Sequence, residues 1–251
     1  MKEPLVSIVM PMYNSSRYVE ESVKSVLSQS FQDWELLVVD DGSSDNSLEI
    51  VQRYERLDDR VHLLQNSHPS GRPASPRNLG VKMSRGRFIA FLDSDDVWLP
   101  EKLACQLPLF EDAHTAIVYA YYEKMDEQGV RHHRVVKAPK KMTYRGLLRG
   151  NVIGNLTGIY DTAKVGKHYF KMIHHEDYPM WLGILKTGFV ARCVPQVLAV
   201  YRVREESVSS RKWSIVLWQW NIYRKVERFG FFKSLYYYIH YALRAFRKRL
   251  I

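Results

Sequence analysis

The stretch FIAFLDSDDVWLPEKL, residues 88–103, runs five apolar residues into Asp93, Asp95 and Asp96, with only Ser94 between them. An unbroken apolar run of that length reads as a strand buried on both faces, the pattern of a parallel sheet covered by helices. The carboxylates then fall where the strand ends. Upstream, SPRNLGVKMSRG (75–86) predicts a short helix stopping near Gly86, and the alternation repeats towards the N-terminus. VSIVM (6–10), ELLVV (35–39) and RVHLLQ (60–65) predict three earlier strands. SSRYVEESVKSVLSQS (15–30) sets Val19, Val23, Val26 and Leu27 at helical spacing, with Ser15 or Ser16 as cap. SLEIVQRYERL (47–57) predicts a second helix with Leu48, Val51 and Leu57 on one face. Strands alternating with helices argue for an open, mostly parallel α/β sheet, whose ligands bind outside the carboxyl ends of the strands. Five carboxylates gather at that edge: Asp40, Asp41, Asp93, Asp95 and Asp96.

The second half is less regular. AIVYAYYEKMDEQGVRHHRVV (116–136) predicts two strands joined through DEQG. HHEDYPMWLGILKTG (174–188) opens with acids and closes on Lys186 and Gly188, a well-signalled helix. FVARCV (189–194) and VLAVYRV (197–203) predict two strands, and the chain from Lys212 onward two amphipathic helices broken near Gly230.

With 46% hydrophobic residues, the 251-residue chain can bury a sizeable core. Cys105 and Cys193 lack the spacing of a zinc site or a disulfide framework, which fits a reducing compartment. MKEPLVSIVMPMYN has too short an apolar run for a signal peptide. The net charge of +10 is segregated: residues 211–251 hold ten Lys/Arg against the single acid Glu227, leaving the body nearly neutral. Such a tail calls for an anionic surface as partner.

Adjacent carboxylates repel and raise one another's pKa unless a positive group lies between them. DSDD (93–96) therefore has two readings. It is a turn or cap at the start of a helix DDVWLPEKL, or it holds a hard divalent cation, Mn²⁺ or Mg²⁺, whose shell a diphosphate completes. DDGSSD (40–45) is open to the same turn reading.

Taken together, VSIVMPMYN, ELLVVDDGSSDNS, SPRNLGVKMSRGRFIAFLDSDD, HHEDYPMW and YRVREESVS resemble the family-2 nucleotide-sugar glycosyltransferases of the GT-A fold, over roughly residues 4–210. The resemblance implies a GT-A catalytic domain at 1–210, with a nucleotide-binding half at about 1–100 and an acceptor half at about 101–210. It implies that Pro11, Tyr13 and Asp41 hold the uracil nucleotide and that Arg72 contacts it. Asp93 then lies near the ribose, Asp95 on the metal, and Asp177 serves as general base. Arg204 stands where a His often closes over the diphosphate, which puts a His metal ligand in doubt; an arginine can instead pair with diphosphate directly. Glu176 and Asp96 are acceptor-site candidates, and Gly150–Tyr160 is placed to line that site. His174 and His175 are read as surface or hydrogen-bonded histidines. Inversion at the sugar carbon by one direct displacement is implied, because no nucleophile for a double displacement is evident. A glycosidase would also use paired carboxylates, but has no need of nucleotide-holding elements on a sheet edge. The alternative to an enzyme is a nucleotide- or lipid-binding module on the same fold.

Residues 211–251 set twelve aromatics among the ten bases, and Phe232, Leu235, Ile239, Leu243, Phe246 and Leu250 form one helical stripe. The uncharged runs are far shorter than the roughly 20 residues of a membrane span. The composition fits a helix lying in an anionic membrane interface; the competing reading is a helix packed on the domain with solvated bases. No nucleic acid partner is expected, since no RNA-binding motif accompanies the charge. The full expectation is a UDP-sugar-dependent transferase on the cytoplasmic face of the inner membrane. It would move glucose or galactose to a polyprenyl-diphosphate-linked sugar for O-antigen, capsule or exopolysaccharide.

Overall fold

The computed structural model describes residues 3–69, 71–204 and 212–247. β1 (Val6–Met12), α1 (Val19–Leu27), β2 (Trp34–Asp40), α2 (Ser47–Leu57), β3 (Val61–Gln65), α3 (Ala74–Met83) and β4 (Phe88–Phe91) alternate as predicted. Then come β5 (Val97–Trp98), α4 (Lys102–Gln106), β6 (Thr115–Met125), β7 (Lys141–Met142) and α5 (Tyr144–Leu147). β8 (Ile159–Asp161), α6 (Thr162–Val165), α7 (Asp177–Leu185) and β9 (Val190–Arg202) follow. The tail forms α8 (Lys212–Asn221), one π-helical segment at Ile222–Val226, and α9 (Phe231–Arg247) after a break at the predicted glycine.

The strands make one mixed sheet in the order β3-β2-β1-β4-β8-β6-β9-β5, with β7 also on β9. β3, β2, β1 and β4 are mutually parallel, whereas β8 runs antiparallel to both β4 and β6. Alternate side chains of each strand feed two cores. Val6, Ile8 and Met10 of β1 pack with Val19, Val23 and Val51 from α1 and α2; Val9 faces the other way, with Val81 of α3, Phe91 and Trp181. That two-sided burial is why the strands read as continuous apolar runs. α3 lies so close to the sheet that a Cβ on Gly80 would meet Val9 Cγ1 at 2.4 Å, so only glycine fits there.

Several local expectations are corrected. Ser15 and Ser16 do not cap α1; the cap residue is Tyr18 and lacks a side-chain cap bond, while Ser15 Oγ shares a hydrogen bond with Ser94 Oγ at 2.8 Å. Val51 of α2 is buried as expected, but Leu57 lies exposed at the helix end and Tyr54 is buried in its stead. DDVWLPEKL does not start a helix at its acids: Val97 and Trp98 pair with β9, and α4 waits until after Pro100. The segment after DEQG makes only single bridges, Tyr122 to Val136 and Met125 to Arg131. FVARCV and VLAVYRV form one strand, because the register with β6 skips Pro195 and Gln196. A proline has no N–H for the ladder, and the irregularity accommodates it.

Candidate active site

β1, β2 and β4 end at one edge, and their following residues meet the start of α3, the start of α7 and the end of β9. A cavity of about 410 Å³ opens there, lined by Pro11, Tyr13, Asp41, Arg72, Asp93, Asp95 and Arg204 among others. A second, of about 400 Å³, is lined by Asp96, Glu176, Asp177, His174, His175, Asn155 and Trp218. Arg72, Arg77, Asp93 and Tyr201 border both. The ten candidate residues thus all reach one divided cleft. Asp40 does not: its carboxylate accepts bonds from the Gly42 and Ser43 amides and ties the turn, with Gly42 at φ +89°. Asp41 is buried, accepting from Asn66 Nδ2 at 2.6 Å and from the Gly71 amide at 3.2 Å.

The three acids of DSDD occupy different environments. Asp93 accepts from Arg77 Nη2 at 2.5 Å. Asp95 faces the first cavity with Arg204 Nη1 at 3.4 Å; burial and the charge of Asp93 raise its pKa. Asp96 is fully buried and accepts from the Arg202 amide at 2.8 Å, while its other oxygen has no partner. Burial, then Asp95 and Asp93, hold it well above the usual carboxylate range.

Arg77 and Arg202 went unread in the sequence. Arg77, 6% exposed, also donates from Nη1 to Glu176 Oε1 at 2.5 Å, joining the ends of β4 and the start of α7. Burial by itself would lower its pKa, but Asp93 and Glu176 more than offset that and hold it charged. Arg202 is buried, donating from Nε to the Asp95 carbonyl at 2.8 Å and from Nη2 to Glu21 at 2.5 Å. A buried arginine between carboxylates has no local sequence signature; only its place in SPRN hinted at Arg77.

Asp177 is the first residue of α7, where the helix dipole favours an acid. Asn151 Nδ2 donates to it at 3.0 Å. Burial and the neighbouring Glu176 nonetheless push its pKa up to about 6. Just before it, His175 sits at φ +56°, uncommon for a residue with a Cβ. His174 stacks on Trp218 of α8, centroids 4.1 Å apart and planes within 13°. Both histidines line the second cavity, His174 as an exposed residue, as expected, and His175 half-buried.

The family model described as Glycosyl transferase family 2 matches residues 7–168. The chain belongs to this family. The family-2 relatives include a Bacillus subtilis (strain 168) protein named for teichuronic acid biosynthesis, TuaG, 38% identical over 99% of this chain and 98% of the relative. Another, from Escherichia coli, is named UDP-Glc:alpha-D-GlcNAc-diphosphoundecaprenol beta-1,3-glucosyltransferase WfgD; it is 38% identical over 88% of this chain and 86% of the relative. Among solved structures, S. aureus TarS 1–349 with UDP-GlcNAc superposes at a TM-score of 0.67 and 25% identity, over 82% of this chain and 60% of that one. The mannosyltransferase PcManGT from Pyrobaculum calidifontis, in complex with GDP-Man and Mn²⁺, shares the fold at a TM-score of 0.68 and 18% identity, covering 92% of this chain and 66% of that one. The architecture is accordingly the GT-A fold, carrying C-terminal helices, and the chain is a glycosyltransferase.

The donor set suits a hard divalent cation. Among the described residues no group of three or more His, Cys, Asp or Glu side chains forms a cage for a metal. Asp95, with Asp93 beside it, instead offers the one or two carboxylates that Mg²⁺ or Mn²⁺ takes when diphosphate oxygens and water complete the shell. The raised pKa of Asp95 is the local cost that a cation beside it would remove.

Proposed function

We propose that this family-2 enzyme is an inverting, metal-dependent hexosyltransferase. It moves glucose or galactose from a UDP-sugar to a polyprenyl-diphosphate-linked sugar in O-antigen, capsule or exopolysaccharide assembly. The observation that carries the reading is the divided cleft: Asp95 lines one compartment, Asp177 the other, and Arg77 and Asp93 lie on their common border. The names of the relatives support the nucleotide and the lipid-linked acceptor.

In this mechanism Pro11, Tyr13, Asp41 and Arg72 seat the nucleotide, and Asp93 takes the ribose side. Asp95 would hold the divalent cation, which supplies charge neutralisation to the leaving diphosphate. Arg204, 3.4 Å from Asp95, adds a second positive charge there that does not titrate. Asp177 accepts the proton of the acceptor hydroxyl as that oxygen bonds to the anomeric carbon and the carbon–oxygen bond to diphosphate breaks. The configuration inverts. A carboxylate with a pKa of about 6 is ionised at pH 7 yet more basic than an ordinary aspartate, which suits a general base. Asn151 fixes its orientation, and Glu176 and Asp96 border the acceptor.

Residues 1–210 would form the catalytic unit and 211–251 its attachment to the anionic cytoplasmic face of the inner membrane; the junction at 205–211 lies outside the described residues. Among the described residues no helix is long and apolar enough to cross a membrane. α9 turns Tyr237 and Tyr238 onto the domain, while Phe232, Leu235, Ile239 and Leu243 are exposed on its other side. It thus combines a packed face with an outward apolar stripe, which supports interfacial contact. Phe246 and Leu250, the rest of the predicted stripe, lie outside the described side chains.

The test is transfer from UDP-glucose and UDP-galactose to an α-GlcNAc-diphosphate-lipid acceptor, followed by mass spectrometry. Asp177→Asn should lower the rate by about 10²–10⁴-fold while UDP binding persists, and EDTA should abolish transfer by the wild type. Undiminished turnover in Asp177→Asn, or in EDTA, would refute the assigned roles.

A further inference from the structure

The second cavity holds more chemistry than one base requires. Asn155, at the start of a short 3₁₀ turn (Asn155–Thr157), leaves both Nδ2 and Oδ1 buried without a partner. His175 Nε2 is buried and unpaired as well. Both residues line the cavity. Buried polar atoms without partners each cost roughly 1–3 kcal/mol, and native structures keep few of them. Here three of them, on two side chains, border one compartment. Burial lowers the His175 pKa, so the ring is neutral near pH 7 and offers one donor and one acceptor nitrogen.

Opposite chemistry forms another part of the wall. Trp218 is half-buried in the cavity lining, with its indole stacked on exposed His174 and edge-on to His175 at 5.0 Å. Its segment is also held at a second place, by Ile222 and Tyr223 just after α8, which are buried, with the Tyr223 hydroxyl donating to the Leu148 carbonyl at 2.6 Å. An aromatic wall with unpaired amide and imidazole groups beside it matches one ligand class: a pyranose, whose ring carries an apolar C–H face and a rim of hydroxyls.

We propose that this compartment is the acceptor-sugar subsite, in which a pyranose packs against the Trp218–His174 wall and hydrogen-bonds to Asn155 and His175. The proposal rests on the glycosyl-transfer reading above and deepens it: α8, from the tail, becomes part of the substrate site. The basic tail then serves two ends, an inner residue that touches sugar and an outer stripe on α9. Asn155 sets which hydroxyl pattern is accepted, because a site built to hydrogen-bond a hydroxyl rejects the sugar that lacks it.

The test is saturation-transfer NMR on the full chain with UDP and a panel of methyl pyranosides (gluco, galacto, and 2-acetamido forms), independent of turnover. At least one pyranoside should receive saturation in the wild type. Trp218→Ala and Asn155→Ala should each weaken its binding tenfold or more, with UDP signals unchanged, and Trp218→Phe should retain most of it. Wild type that contacts UDP but no pyranoside overturns the subsite, as does pyranoside contact that survives both alanine variants. Variants that lose UDP and pyranoside together would make the two residues structural and overturn it too. A wild type that contacts no UDP would instead strike the donor reading beneath it.

Discussion

Removing the charge of Arg77 should change both the stability of the enzyme and its pH profile. Its guanidinium is 6% exposed and lies 2.5 Å from both Asp93 and Glu176. Arg77→Met leaves those two carboxylates, and Asp177 beyond them, without their shared cation. Breaking one buried ion pair from one side costs about 3–5 kcal/mol. For a chain of this size that corresponds to a fall in Tm on the order of 10 °C. The second effect concerns Asp177. Burial and Glu176 raise its pKa to about 6, and Arg77 is the charge that opposes them. Without Arg77 the Asp177 carboxyl must rise further, by on the order of one unit. kcat/KM for transfer, which needs Asp177 ionised, should in the wild type climb with pH through about 6 and level off. In Arg77→Met that limb should move to higher pH. Arg77→Lys keeps the charge but not the fork that spans two acids; its limb should stay near the wild-type position while Tm drops by part of the full amount. The measurements are thermal unfolding and kcat/KM from pH 5 to 8 at saturating donor. An Arg77→Met protein with wild-type Tm and an unmoved limb would refute this account of the cleft.

Two further outcomes are accessible. Lys102 is fully buried, its Nζ has no hydrogen-bond partner, and it lies 4.0 Å from the Trp98 ring centroid; burial pushes its pKa well below the usual 10.5. The unfolded chain therefore binds more protons between the two pKa values, and wild-type stability should rise with pH across that window. Lys102→Met should remove this slope and stabilise the protein at pH 7 by about 1–3 kcal/mol, read from urea unfolding; a destabilised variant would contradict it. On α9, Phe232→Ser with Ile239→Ser removes two exposed apolar side chains. If each contributes about 1 kcal/mol when half inserted, sedimentation with anionic vesicles should weaken roughly thirtyfold, and unchanged sedimentation would remove the stripe from the interface.

The first four strands could be read from sequence because a parallel interior buries both faces, so apolar runs are unbroken and their ends are marked by Asp, Asn and Gly. The same logic failed at β9. Pro195 looks like a terminator in one dimension, yet β6 alongside lets the ladder skip two residues and resume. The site divided in a similar way. Asp93, Asp95 and Asp177 sit beside local signals, at a strand end and a helix start. Trp218 does not: it reaches the compartment only because α8 folds back onto His174 and His175, a contact between segments that are distant in sequence, whereas Asn155 lies within the stretch Gly150–Tyr160 already expected to line the acceptor site. Buried arginines are hidden for another reason. Composition expects Arg77 and Arg202 on the surface, and only the surrounding carboxylates explain why they are inside.

Those arginines also explain how three acids can end a buried strand. Asp93, Asp95 and Asp96 side by side would repel if left alone. Arg77 takes Asp93, and the Arg202 amide takes one oxygen of Asp96, which burial and its neighbours favour in the neutral form. Asp95 is left with only the longer Arg204 contact at 3.4 Å. Of the two that line the first cavity, Asp93 and Asp95, it has the longer ion pair. A cation arriving with a diphosphate would therefore meet less competition from the protein's own cations at Asp95 than at Asp93. By the same reasoning Asp95→Asn should be less destabilising than Asp93→Asn and more damaging to metal binding, since Asp93→Asn strips Arg77 of one of its two anchors.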